Sequence, residues 1–285
     1  MKYPEKKKYA QYRKVVHPLD AAQPFLLYDQ TENGPLEPPG DIHFAPQIII
    51  VIAGTMRMEY RNCEILCRPG ECCLTGPWEK HRARLEEGRV RYLVITIDLL
   101  LLGSISPFHD LDWLQLFLLS PEKRPRFTSR RDRARLLGIV RSILHMERAQ
   151  MHGYKSGQWL EIHRLIWLLA ARIPAQMHDV AGKFRQLYPA LLLARDEVHR
   201  LVSLDEASAA CGLSRSRFAA TFKQRIGIPF GEFAMRGRIA AAGKSLLRKD
   251  SSIKQIAEEY GFSDVSHFYR AFRKVTGITP GAFCR

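Results

Sequence analysis

Two stretches of this chain say nearly the same thing about fifty residues apart, and the duplication restricts the fold of its last third more than any other feature. Residues 203–233 read SLDEASAACGLSRSRFAATFKQRIGIPFGEF, and residues 252–283 read SIKQIAEEYGFSDVSHFYRAFRKVTGITPGAF. At an offset of 49 they share Ser203/Ser252, Gly212/Gly261 and Ser214/Ser263. One extra residue in the second turn makes the offset 50. Phe218/Phe268, Phe222/Phe272, Gly227/Gly277, Ile228/Ile278, Gly231/Gly281 and Phe233/Phe283 then coincide.

Each copy reads as helix, glycine turn, helix. DEASAACG and KQIAEEYG are short helices closed by a glycine suited to a left-handed C-terminal position. Leu213 or Phe262 is expected to pack behind the turn, and Ser214 or Ser263 to cap the next helix. Two short helices around such a turn are the sequence form of a helix-turn-helix. Phenylalanines at i and i+4 place both rings of each second helix on one buried face. The opposite face carries Ser216, Ala220, Lys223 and Gln224 in the first copy, with Arg217 on its shoulder. In the second copy it carries Ser266, Arg270, Arg273 and Lys274, flanked by His267 and Tyr269. Such a basic, hydrogen-bonding face suits a major groove, where Arg pairs with guanine and Ser or His reads base edges. A solvated face is the plainer account of one such helix. Two in tandem, in a segment of net charge +7 from Leu191 onward, favour a pair of readers. Between them, PFGEFAMRGRIAAAGKSLL predicts a helix of about fifteen residues, roughly 22 Å long. That helix could hold the readers about one DNA turn apart, roughly 34 Å.

LSRSRFAATFKQRIGIP, then Arg238, Ala242 and Leu246, and IKQIAEEYGFSDVSHFYRAFRKVTGITPGAF together resemble the AraC/XylS family of bacterial transcription regulators. The likeness runs from Pro189 to Arg285. It implies that both outward faces touch DNA, with Ser266, His267 and Arg270 among the readers. The chain departs from the family pattern at Ala219 and Ala220, where many relatives carry arginine or glutamine. The first helix is therefore expected to read thymine methyls by apolar contact plus Ser216, or to grip the backbone through Arg215, Arg217 and Lys223.

The front half has a different grammar. QIIIVIAG is a short buried run, and TMRMEYRN alternates, with Met56, Met58 and Tyr60 on one face. RPG and TGP read as turns, and RVRYLVITID as a further strand after a turn at Gly88. Several short strands with closely spaced turns predict a small barrel or sandwich. Beyond Ser104, SRRDRARLLGIVRSILHMERAQM and GQWLEIHRLIWLLAARI show helical spacing. These helices either cover the barrel or pair with a second subunit. GTMRMEY, CRPGECCLTGPWEKH and RVRYLVITI resemble the cupin-type sensor barrel that precedes many such DNA-binding domains. That resemblance implies a small-molecule pocket, often for a sugar or related metabolite, and a dimer contact in the following helices. His43, Trp78 and His81 are its candidate pocket residues. The two histidines stand where metal-binding cupins carry ligands, but Phe44, Ala45 and Pro46 replace the expected second histidine, so no metal is expected.

The chain has 285 residues and a formal net charge of +15, of which residues 1–14 hold +5. This favours a polyanionic partner. No apolar run reaches the roughly 20 residues that span a bilayer, so a cytoplasmic protein without a membrane is expected. Its six cysteines should then be reduced. Cys72 and Cys73, adjacent on a strand, should point to opposite faces and not share a metal. No nucleophile–base constellation or phosphate-cradling loop is visible, so neither an enzyme nor a cofactor is expected.

The expectation is an α+β two-domain protein, with a cupin-like β-barrel followed by helices and an all-α domain with two helix-turn-helix units joined by a linker helix. Its divisions are a basic, irregular lead-in over 1–40, a sensor barrel over 41–105, a helical and dimerising region over 106–188, and a DNA-binding domain over 189–285. The expected function is sequence-specific regulation of transcription, in the sense of an activator, controlled by a small molecule such as a carbohydrate. Expected partners are double-stranded DNA, the effector, a second copy of the chain and RNA polymerase. The competing readings are a metal-dependent cupin enzyme fused to a DNA-targeting domain and a non-specific nucleic-acid binder.

Overall fold

The computed structural model describes residues 12–15, 17, 19, 23–43, 45–77, 79–98, 113, 115–174, 186–226, 228–248 and 250–284. Trp78, Gly227 and most of the basic start lie outside them. The chain divides into two compact units, one essentially up to His178 and the other from Asp179 to Arg285.

The first unit is built on an antiparallel sheet of eight strands: β1 (Tyr12–Lys14), β2 (Phe25–Leu36), β3 (Gly40–Ile42), β4 (Gln47–Ala53), β5 (Met56–Tyr60), β6 (Glu64–Cys67), β7 (Cys72–Thr75) and β8 (His81–Ile97). Strand β8 is the spine. Its first half pairs with β5, from Tyr60↔His81 to Met56↔Leu85, and its second half with β4, from Ala53↔Arg91 to Gln47↔Thr96. Strand β2 pairs along most of it. The curled half-barrel so formed agrees with the barrel reading.

Two expectations fail here. Residues 1–40 are not all an irregular lead-in, because β2 runs through NGP as an outer strand whose exposed face is polar. The polarity and the Gly–Pro pair disguised it as a loop. Gly88 does not reverse the chain either. With φ at +90° it kinks β8, opposite Gly34, where the strand changes partner from β5 to β4.

Period-two alternation sorts the sheet residues into faces. Ile49, Val51, Met56, Met58, Tyr60, Cys67, Cys73, Leu85 and Val90 form one buried cluster on the inner face. Ile48, Ile50, Cys72, Leu74, Leu93 and Ile95 alternate with them and are equally buried. Cys72 and Cys73 thus face opposite ways, as their adjacency requires. The cysteines are not all reduced, however: the β6–β7 turn brings Cys67 onto the face of Cys73, and the two form a disulfide. Cys72 is a free thiol whose pKa is pushed up to about 12 by burial.

Among the described residues this unit also contains the α-helices α1 (Gln115–Leu118), α2 (Arg130–Ala149) and α3 (Tyr154–Ala170). Ser129 caps α2 by accepting the Asp132 N–H. Arg133 on α2 and Arg126 before it converge on the buried Glu71 carboxylate at 3.3 and 3.4 Å, joining the helical layer to the β6–β7 turn.

The regular structure in the described residues of the second unit is helical: α4 (Tyr188–Asp196), α5 (Leu204–Ala210), α6 (Arg215–Ile226), α7 (Phe230–Arg248), α8 (Ile253–Glu259), α9 (Val265–Thr276) and α10 (Pro280–Phe283). The linker helix α7 has 19 residues, or about 28 Å, longer than its sequence suggested. It occupies Phe230–Arg248 of the stretch between Pro229 and Asp250.

Candidate nucleic-acid interface

The repeat builds the same packing twice. The Phe222 and Phe233 rings meet edge to face at 5.5 Å, and their counterparts Phe272 and Phe283 do so at 5.3 Å. Phe218, Phe222, Phe268 and Phe272 are fully buried, which fixes the opposite faces of α6 and α9 outward. On α6 the candidates Arg215, Ser216, Arg217, Ala220 and Lys223 are all exposed. On α9 Ser266, Arg270, Arg273 and Lys274 are exposed, while His267 and Tyr269 are half-buried. His267 leans on Phe262 and Tyr269 on Phe268, each edge to face, so both rings are oriented by the core they flank.

The helix starts differ from each other. Both first helices carry a capping box, Ser203 with Glu206 and Ser252 with Gln255. Hydrogen bonds from the Ser203 backbone and hydroxyl, followed by that from Arg200, lower the Glu206 pKa to about 2. Ser214 stands at the start of α6, with its hydroxyl 3.4 Å from the Arg217 N–H it accepts. The expected second cap, Ser263, is displaced by the extra residue of the second turn. Asp264 caps α9 instead, its Oδ1 accepting the His267 N–H at 2.6 Å.

Two residues acquire roles that spacing alone did not give. Arg215 is held by the Asp205 carboxylate at 3.0 and 3.1 Å, an exposed pair of small energetic worth. Arg238 on α7 is buried and donates to the Tyr260 and Gly261 carbonyls at the second turn. Its place among Ala234, Ile239 and Ala242 was the available signal, since a buried arginine requires acceptors.

On the inner sheet face, His43 and His81 are 1% and 5% exposed, with ring centroids 4.9 Å apart, edge to face. His43 Nδ1–H donates to the Ala45 carbonyl at 2.7 Å and His81 Nδ1–H to that of Glu79 at 3.0 Å. Burial lowers the His81 pKa, against the opposing effect of the Glu79 carbonyl. Nearby, Thr75, Gln47 and Thr96 form a row across three strands, and Gln47 Nε2 donates to Thr96 Oγ1 at 3.1 Å. All three are buried. The sequence reading missed this row because Gln47 opens an apolar run; its alternation with Ile49 and Val51 was the usable clue. Among the described residues, no three His, Cys, Asp or Glu side chains are grouped to hold a metal.

The family described as helix-turn-helix domain matches residues 207–285. The probable transcription factor PqrA of Proteus vulgaris is 37% identical over 82 residues, which are 29% of this chain and 67% of PqrA. This chain belongs to the AraC/XylS family. A second relative, the probable transcriptional regulator LumQ of Photobacterium leiognathi, is 31% identical over 83 residues. That match spans 29% of this chain and only 34% of LumQ, so the likeness to these regulators lies in the reading domain. Among solved structures, ToxT of Vibrio cholerae strain SCE256, crystallised with an unsaturated fatty acid bound, shares the fold with a TM-score of 0.55. The match covers 92% of this chain and 95% of ToxT at 15% identity. The fold shared with ToxT therefore extends over the sheet unit as well as the helical one.

Proposed function

We propose that this AraC/XylS protein is a sequence-specific DNA-binding regulator of transcription whose sheet domain responds to a small molecule. The observation that carries the reading is the pair of helices α6 and α9, each buried through two phenylalanines and presenting an exposed polar and basic face. In α9, Ser266, His267 and Arg270 read base edges, and Tyr269, Arg273 and Lys274 support them against the backbone. In α6, where Ala220 stands opposite Arg270 in the repeat, Arg215, Ser216, Arg217 and Lys223 mainly grip phosphate and fix register. The two helices thus contribute unequally to sequence preference.

The effector site we assign is the inner face of the half-barrel, with His43 and His81 joined by Gln47, Thr75 and Thr96; Trp78, a pocket candidate from the sequence, lies outside the described residues. ToxT, of like fold, was solved with a fatty acid, which places lipid-like molecules beside carbohydrates as classes to test. Effector binding shifts the population of chains able to engage DNA. A homodimer formed through α3 is supported by Leu160 and Trp167, which are 70% and 50% exposed on one stripe of that helix. RNA polymerase is the further partner of an activator of this kind, and the cytoplasm its place of action. No helix among the described residues is long and apolar enough to cross a membrane.

Selection from a pool of random duplexes tests the DNA reading. A regulator of this kind enriches one motif and keeps its preference for that motif as salt rises. A non-specific binder enriches none, and its affinity falls alike on every sequence.

A further inference from the structure

Residue Tyr260, at the end of α8 and immediately before the second turn, is tied down from three directions. Its carbonyl accepts Arg238 Nε at 3.2 Å and Nη2 at 2.5 Å, and Nη2 also reaches the Gly261 carbonyl at 2.8 Å. The Arg238 guanidinium lies 4.4 Å from the Phe262 ring centroid. The Tyr260 hydroxyl is 2.9 Å from Ser245 Oγ, seven residues and two turns along α7 from Arg238. Its ring stacks on His199 at 4.8 Å, and His199 Nδ1–H donates to the Glu259 carbonyl at 3.1 Å. His199 lies in the segment that leads into α5, the first helix of the other reading unit.

The first helix-turn-helix carries a different side chain at the corresponding place. Cys211 stands where Tyr260 stands and offers neither a ring nor a hydroxyl. A Cβ on Gly212 would meet nothing within 4 Å, whereas one on Gly261 would lie 2.4 Å from the His199 carbonyl oxygen. The second turn is therefore pressed against both the linker helix and the lead-in of the first unit. Arg238, 2% exposed, is unavailable to phosphate, and its planar fork is what allows one side chain to hold two carbonyls.

Building on the DNA-reading function proposed above, we propose that Arg238, acting through Tyr260 and His199, sets the rotational phase of α9 against α6, so that the protein accepts its two subsites at one spacing only. Arg238 is a positioning residue. One base pair of extra spacing turns the second subsite by about a tenth of a helical turn, which a fixed pair of readers cannot follow.

The test uses the full chain and synthetic duplexes carrying the selected motif at its natural spacing and with one base pair added or removed between subsites. Wild type is expected to lose about tenfold or more in affinity on either altered duplex. Arg238→Lys, which keeps the charge but not the fork, is expected to weaken binding at natural spacing and to shrink the spacing penalty to about threefold. Tyr260→Phe removes only the Ser245 bond and serves if the lysine variant does not fold; it is expected to reduce the penalty partly. Equal losses at all three spacings, or an unchanged penalty in either folded variant, overturn the positioning role while leaving the DNA-reading function intact. A wild type that binds all three spacings alike also overturns the positioning role alone, whereas one that binds them no better than a scrambled duplex overturns both.

Discussion

Ser214 and Asp264 stand at the starts of the two reading helices and cap them with different chemistry. The Ser214 hydroxyl is 3.4 Å from the N–H it accepts, whereas the Asp264 carboxylate accepts its own at 2.6 Å. The His267 backbone hydrogen bond, followed by the charge of Arg270, holds the Asp264 carboxyl below its ordinary range. The second reading helix, α9, begins on the firmer cap, and it is also the helix that presents Ser266 and Arg270.

The caps should differ measurably. Asp264→Ala is expected to destabilise the reading domain more than Ser214→Ala does, because it removes the shorter, charge-assisted cap bond. Ser214→Ala should cost about 0.5 kcal/mol, near the lower end. Urea unfolding of both variants checks the order, and equal midpoints would remove the distinction.

Gly212 and Gly261 both adopt left-handed φ, at +62° and +66°. Alanine pays about 1–2 kcal/mol for that conformation at either site. Only at Gly261 does the new methyl also collide with the His199 carbonyl. Gly261→Ala should therefore unfold at distinctly lower urea than Gly212→Ala.

His81 links stability to pH. Its folded pKa lies below the ordinary value because burial disfavours the imidazolium, even though Glu79 and Asp41 favour it and Arg124 opposes it. The unfolded chain binds the proton more readily, so the contribution is fully present above about pH 6.5 and is lost as pH falls from there toward the folded value. Unfolding of the sheet unit, followed at about pH 7.5 and 5.5, should show this loss in wild type and a smaller one in His81→Gln. An identical loss in the variant would show that His81 does not carry it.

On α3, Trp167 offers the test of self-association. If α3 joins two copies, Trp167→Asp places a charge in the contact and should convert a dimer to a monomer by sedimentation. A variant with wild-type mass distribution would exclude this face.

The reading domain was legible because its signals are local and occur twice: glycine at a turn, phenylalanine at i and i+4, serine at a helix start. The structure added what depends on distance in the chain. Arg238 meets Tyr260 only after α7 folds back along α8, and no local spacing announces that pair. The sheet unit was less legible for the same reason. The polar strand β2 becomes a strand only by pairing with β8, some sixty residues later, and Gly88 has the composition of a turn although its partners hold it in a strand. Thr75 and Thr96 join Gln47 through register, which a single strand does not disclose.

The most direct test of the account is the effect of Arg270→Ala on two duplexes, the selected motif and a scrambled one of the same composition. If α9 reads sequence through Arg270, binding to the motif should weaken by about 1–3 kcal/mol while binding to the scrambled duplex changes little. Equal weakening on both duplexes would contradict the account and reduce Arg270 to a phosphate contact.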